Sequence, residues 1–171
     1  MSEILLKSSK FRVERRHCAV RDRPPVVRDI VVHPGAVIVL PVLTDTDIVV
    51  IHNYRYSVGR ELVELPAGTL EPGEDPSVCA ARELEEEAGY RTGRLESMGE
   101  FYTSPGITDE LMRCFVAYNL EPVPQRLEGG EQIRPEVISL ARAIEWIREG
   151  RIVDGKTVAL LLRYRMEKEA C

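Results

Sequence analysis

The segment from Pro66 to Gly89 constrains the chain most tightly, because both ends of its helix are written in the residues. Asp75 is a good N-cap, and Pro76 follows at the first helical position, where its missing N–H is no loss. Gly89 is a natural C-cap, so the spacing predicts a helix over 75–88. Ahead of it runs Pro66-Ala-Gly-Thr-Leu-Glu-Pro-Gly-Glu74, a glycine-rich loop bounded by prolines. On the helix, Glu83 and Glu87 stand at i,i+4 and share one face, with Glu86 on the flank. Like charges at that spacing destabilise a helix by roughly 0.2–0.5 kcal/mol unless something neutralises them. A solvated acidic face is the ordinary explanation of such a run. Here the loop feeds straight into the helix, so backbone carbonyls can approach the carboxylates. Oxygen donors of both kinds suit Mg²⁺ or Mn²⁺ rather than zinc.

Strands surround this segment. Phe11, Val13 and Arg15 begin an alternating stretch, and Val26–Val32 is rich in β-branched residues. Ala36–Leu43 and Ile48–Ile51 are apolar runs split by Thr44-Asp-Thr-Asp47, which predicts a buried hairpin. Further strands are expected at Leu62–Leu65, Leu95–Phe101, Met112–Tyr118 and Ile133–Ile138. Ser139 can cap a helix with Leu140, Ile144 and Ile147 on one face. A final helix is expected over Thr157–Lys168, with Val158, Leu161, Leu162 and Met166 inward. The pattern is α+β: a mixed sheet sandwich flanked by helices, with an N-terminal strand region over 1–34 and the main domain over 35–171.

Composition narrows the partners. The 171 residues carry a net charge of −5, which argues against a nucleic-acid partner. No stretch approaches the roughly 18 apolar residues of a membrane helix, and the N-terminus does not read as a signal peptide. Cys18, Cys79, Cys114 and Cys171 are scattered without a CxxC, so free thiols in a reducing, cytoplasmic setting are expected. His17, His33 and His52 lack ligand spacing and read as structural.

Gly68-x5-Glu74-x7-Arg82-Glu83-Leu84-x-Glu86-Glu87-x-Gly89-Tyr90 resembles the Nudix box of the Nudix hydrolases at every fixed position. A chance match of seven fixed letters is on the order of 10⁻⁸ at one start site. Within that superfamily the chain is similar to the ADP-ribose pyrophosphatases. Pro105 follows Gly89 by sixteen residues, Ser104-Pro-Gly-Ile-Thr-Asp-Glu110 resembles that subgroup's loop, and Glu64-Leu-Pro-Ala-Gly68 and His33-Pro-Gly-Ala36 do likewise.

The resemblance implies a Nudix fold and Mg²⁺ (or Mn²⁺) held by Glu83 and Glu87, with the Ala67 carbonyl as a further ligand and Glu86 as a third carboxylate ligand or one acting through water. Arg82 would pair with Glu74 or Glu86 and orient the ligands. Glu131 would act as base or charge-stabilising carboxylate, with Glu128 as second choice. Arg55 and Arg28 would bind the diphosphate, Arg28 across the boundary of a homodimer, since arginine is a bidentate and permanent cation. Glu110 would contact a ribose hydroxyl or a water on the metal. The residue that stacks on the base is left open among Phe11, Tyr54 and Tyr56. The implied reaction is Mg²⁺-dependent hydrolysis of ADP-ribose to AMP and ribose 5-phosphate. The rivals are a pyrophosphatase of another nucleotide sugar, such as GDP-mannose, and a non-catalytic nucleotide sensor.

Overall fold

The computed structural model describes residues 2–127 and 129–170. Among the described residues ten strands and three α-helices follow one another. An N-terminal antiparallel sheet holds β1 (Ser2–Lys7), β2 (Arg12–Val20) and β3 (Arg23–Val32), in that order. β1 precedes the first strand expected from the sequence. Its side chains are exposed throughout, so no inside–outside alternation betrays it. Pro24 and Pro25 fall within β3, near the start of this edge strand, where missing N–H groups are tolerated.

Two sheets form the body. One has the order β7 (Ala67–Thr69), β4 (Ala36–Pro41), β9 (Leu111–Pro122), β8 (Tyr90–Tyr102), with β4 and β9 parallel. The other has the order β10 (Ile133–Ser139), β5 (Asp47–Arg55), β6 (Arg60–Glu64) and is antiparallel. β4 and β5 are therefore not the hairpin that the turn at 44–47 predicts. They form no ladder; an isolated bridge joins Val42, just past β4, to Ile48, and the chain passes there from one sheet to the other. Burial on both faces explains the misleading signal. Ile38, Leu40, Ile48 and Val50 face one apolar cluster, and Val37, Val39, Val49 and Ile51 face another. Doubly buried strands read as continuous apolar runs with no face to assign.

Helices cover both clusters. α1 (Pro76–Glu83) contributes Cys79 and Ala80 to the second. It packs on β4 and β7 as well as β8 and β9. α2 (Leu140–Arg148) and α3 (Gly155–Ala170) contribute Ala143, Trp146, Leu160, Leu161 and Tyr164 to the first. The inward face of α3 is thus shifted from the expected one. Leu162 and Met166 are exposed, while Thr157, Leu160, Leu161 and Tyr164 are buried. Among the described residues no helix is long and apolar enough to cross a membrane.

Candidate active site

α1 begins as the sequence dictates. Asp75 Oδ1 accepts the Ser77 N–H at 2.8 Å, and Pro76 occupies the first turn. Its end departs from regularity. Past Glu83 the helix widens into a π-helical turn, Leu84–Ala88, closed by Gly89 in the left-handed region at φ 72°. Such turns place an extra residue in the coil, and here it falls within the carboxylate run. Two carbonyls at the widened end are taken up from outside the helix. Arg126 N–H donates to Glu86 O at 3.2 Å, and the Gln125 amide donates to Glu87 O at 2.5 Å.

The carboxylates line an open cavity of about 1230 Å³ between the loop 66–72, the π-turn, the end of β8 and the start of α3. Glu83 and Glu87 are only 9% and 4% exposed. Burial pushes their carboxyl groups up, to about 7 for Glu83 and about 8 for Glu87. The Arg82 guanidinium opposes the first shift, and the Ala67 N–H, donated to Glu87 Oε2 at 2.8 Å, opposes the second. Arg82 reaches Glu74 through Nε (3.0 Å) and Nη2 (3.2 Å), and Glu83 (2.8 Å) and Glu86 (3.0 Å) through Nη1. One guanidinium thus ties together the two ends of the segment 74–86. Its own protonated form is strengthened first by the Glu74 contact.

Gly68 faces this pair directly. A Cβ placed there would lie 1.7 Å from Glu83 Oε1 and 2.0 Å from its carboxyl carbon. The absent side chain is the space in which the carboxylate sits. An all-oxygen set, two members of it buried at a position where protonation is otherwise favoured, fits a hard divalent cation. Among the described residues no three acidic, histidine or cysteine side chains form a ready-made cage for an ion. Arg82 occupies oxygens of Glu83 and Glu86 instead. Loading a cation would require those contacts to loosen.

The other residues singled out in the sequence distribute unevenly. Arg55, Glu110 and Glu131 line the same cavity. Glu64, wholly buried, grips Arg55 through Nε (2.7 Å) and Nη2 (2.6 Å). Burial opposes the charge of Arg55, but this contact holds it protonated. Glu110 accepts from Thr103 Oγ1 at 2.6 Å and stands 3.6 Å from His33. Arg28 lies exposed on β3 and does not line the cavity of its own chain, where its guanidinium donates to the Val27 carbonyl. Glu128 lies outside the described residues. Pro105 is exposed, and the loop around it leans on β3 through Val31 N–H to Ile107 O (2.9 Å) and Asp109 N–H to Val31 O (3.2 Å).

None of Phe11, Tyr54 and Tyr56 lines the cavity; the aromatic rings that do are Phe101 and Tyr102 at the end of β8. Sequence reading also passed over Asp154 and Lys156 at the start of α3. Asp154-Gly-Lys-Thr157 carries a capping signal, since Asp154 Oδ2 accepts both the Thr157 N–H (3.0 Å) and its hydroxyl (2.6 Å). Nothing in the local sequence says that this cap faces a cavity.

Buried carboxylates beside arginine and lysine side chains are the equipment of an enzyme that handles anionic phosphate compounds with a divalent cation. The chain belongs to the NUDIX domain family, whose model matches residues 32–161. It is 41% identical to the methanol dehydrogenase activator of Bacillus methanolicus, over 84% of this chain and 78% of that protein. It is equally identical, over the same shares, to the ADP-ribose pyrophosphatase of Bacillus subtilis (strain 168). A GDP-mannose pyrophosphatase of Salmonella typhimurium shares 35% identity over 74% of this chain and 71% of its own length. The crystal structure of an ADP compounds hydrolase superposes with a TM-score of 0.86, over 99% of this chain and 92% of that one, at 21% identity. That likeness establishes the fold.

Proposed function

We propose that the chain hydrolyses the diphosphate bond of ADP-ribose in the presence of Mg²⁺ or Mn²⁺, giving AMP and ribose 5-phosphate. The observation that carries this reading is the buried pair Glu83 and Glu87 against Gly68 in a cavity that also holds Arg55. Identity of 41% to an ADP-ribose pyrophosphatase supports the substrate. Glu83, Glu86, Glu87 and the Ala67 carbonyl would hold the cation. When bound, it offsets the negative charge of the diphosphate oxygens and opens the phosphorus to attack by water.

The protein's own groups supply positioning and proton transfer. Arg55 binds the diphosphate and fixes it for in-line attack, on the adenosyl side in our reading. Arg82, tied to Glu74, Glu83 and Glu86, keeps the carboxylates in register. Glu131 orients the attacking water or takes its proton. Glu110, held by Thr103, meets a hydroxyl of the terminal ribose. The N-terminal region 1–34 joins two copies into a homodimer, in which Arg28 reaches the partner's site. The protein works in the cytoplasm on a small molecule, without nucleic acid or membrane.

The relative acting on GDP-mannose favours a second reading, in which another nucleotide sugar is the substrate. A purely sensing role is opposed by the complete set of box carboxylates. Assaying a panel of nucleoside diphosphate derivatives, with and without Mg²⁺, separates the three. AMP and ribose 5-phosphate formed only with cation support the first. A higher kcat/KM for GDP-mannose replaces it with the second, and binding without turnover replaces both.

A further inference from the structure

The start of α3 carries a lysine whose partner is the same carboxylate that grips Arg55. Lys156 Nζ donates to Glu64 Oε2 at 2.6 Å and to Asp154 Oδ1 at 2.9 Å. Its side chain is 15% exposed and that of Glu64 is wholly buried. Glu64 Oε2 thus serves two cations, Arg55 Nη2 and Lys156 Nζ, while Oε1 takes Arg55 Nε. Glu64 holds the Nε–Nη2 edge of Arg55 and leaves Nη1 outside the fork. The anchoring is rigid, because Thr157 Oγ1 accepts the Leu65 N–H at 2.9 Å and Asp154 caps the helix on which Lys156 sits.

The charges explain why the lysine matters. A lone carboxylate clasping an arginine in low dielectric cancels most of the field that the arginine projects. Lys156 holds that carboxylate from a second side and fixes its angle, while Asp154 balances the lysine's own charge. The walls of this cavity carry more carboxylates than cations, so a diphosphate gains much from each projected positive charge.

We propose that Lys156 is a positioning residue for substrate binding: by fixing Glu64 it orients Arg55 toward an anionic diphosphate. This rests on the reading of the cavity as a nucleoside-diphosphate site, and it assigns work to a residue outside the family's sequence box. Lys156 does not touch the substrate; its effect passes through Arg55.

Kinetics of the full chain with Mg²⁺ and ADP-ribose test this with Lys156→Met, Lys156→Arg, Arg55→Met and the Lys156/Arg55 double variant. Lys156→Met should raise KM about tenfold while changing kcat less than about threefold. Lys156→Arg, which keeps the charge, should restore KM to within about threefold of the original. In the Arg55→Met background the lysine substitution should have no further effect. Lys156→Gln carries the same comparison if Lys156→Met does not fold. An unchanged KM overturns the proposal, and so do additive effects in the double variant, which would mean direct contact with substrate. Calorimetric binding of inorganic pyrophosphate, with the same variants, makes the comparison independent of turnover. If the unmodified protein hydrolyses none of the diphosphates yet its pyrophosphate affinity falls about tenfold in Lys156→Met, the substrate reading fails and the positioning role stands. If affinity is unchanged there, the positioning role fails on its own.

Discussion

Gly68 and Glu83 share one volume, and this makes the glycine a residue of function rather than of backbone freedom. Its methyl counterpart would collide with the far end of a flexible side chain, so the fold can yield while the carboxylate cannot stay. Gly68→Ala should therefore remain folded but lose divalent-cation affinity, read by titration with Mn²⁺. Glu87→Gln keeps the shape and removes one buried charge. Turnover should fall at least about 100-fold, within the range for a positioned catalytic group. In the metal-free protein the same variant should raise the melting temperature. Undiminished activity would remove Glu87 from the ligand set. The pH response follows from the same burial. Folded pKa values near 7 and 8, above the ordinary carboxylate value of 4.5, mean that Glu83 and Glu87 favour the folded state when protonated. That contribution is complete below about 4.5 and is lost as pH rises through 7 to 8. With chelator present, thermal stability should decline over this window, and Mg²⁺ should remove much of the decline. The pair itself was legible because i,i+4 spacing is local. Glu64 and Lys156 were not, since 92 residues separate them and only the fold brings them together.

At the scale of elements, the ends of the helical segment 76–88 were readable and its interior was not. Asp75, Pro76 and Gly89 announce the boundaries, but no residue type announces a π-helical turn. The turn is stabilised from elsewhere, by Arg126 and Gln125 on the approach to β10. Asp75→Ala removes a cap worth about 1 kcal/mol, and the melting temperature should drop by about 2–4 °C in a chain of this size. Thermal scans by circular dichroism check this, and no change would mean that Pro76 alone suffices. α3 shows a different limit. Its apolar residues are numerous enough to draw more than one stripe, and packing against β4 selects Leu160, Leu161 and Tyr164 over Leu162 and Met166. Period alone could not choose between them.

For the whole molecule, the N-terminal strands and the turn between the first two leave Ile4, Leu6, Phe11 and Val27 exposed, and grouped exposed apolar side chains mark interaction surfaces. A second copy is the occupant that our reading of Arg28 requires. Light scattering at micromolar concentration should return twice the chain mass, and Leu6→Glu should shift it toward one. A monomer in the unmodified protein would overturn this. The passage of the chain from β4 directly into β5 has its own consequence. Because the central strands of two different sheets are joined by one short turn, neither sheet can open while the other keeps its middle strand in place. The two layers should behave as a single cooperative unit in native-state hydrogen exchange, with amides of Val39 and Val50 sharing one opening free energy. The N-terminal strands, tied to this unit mainly at the 103–110 loop, should exchange far sooner.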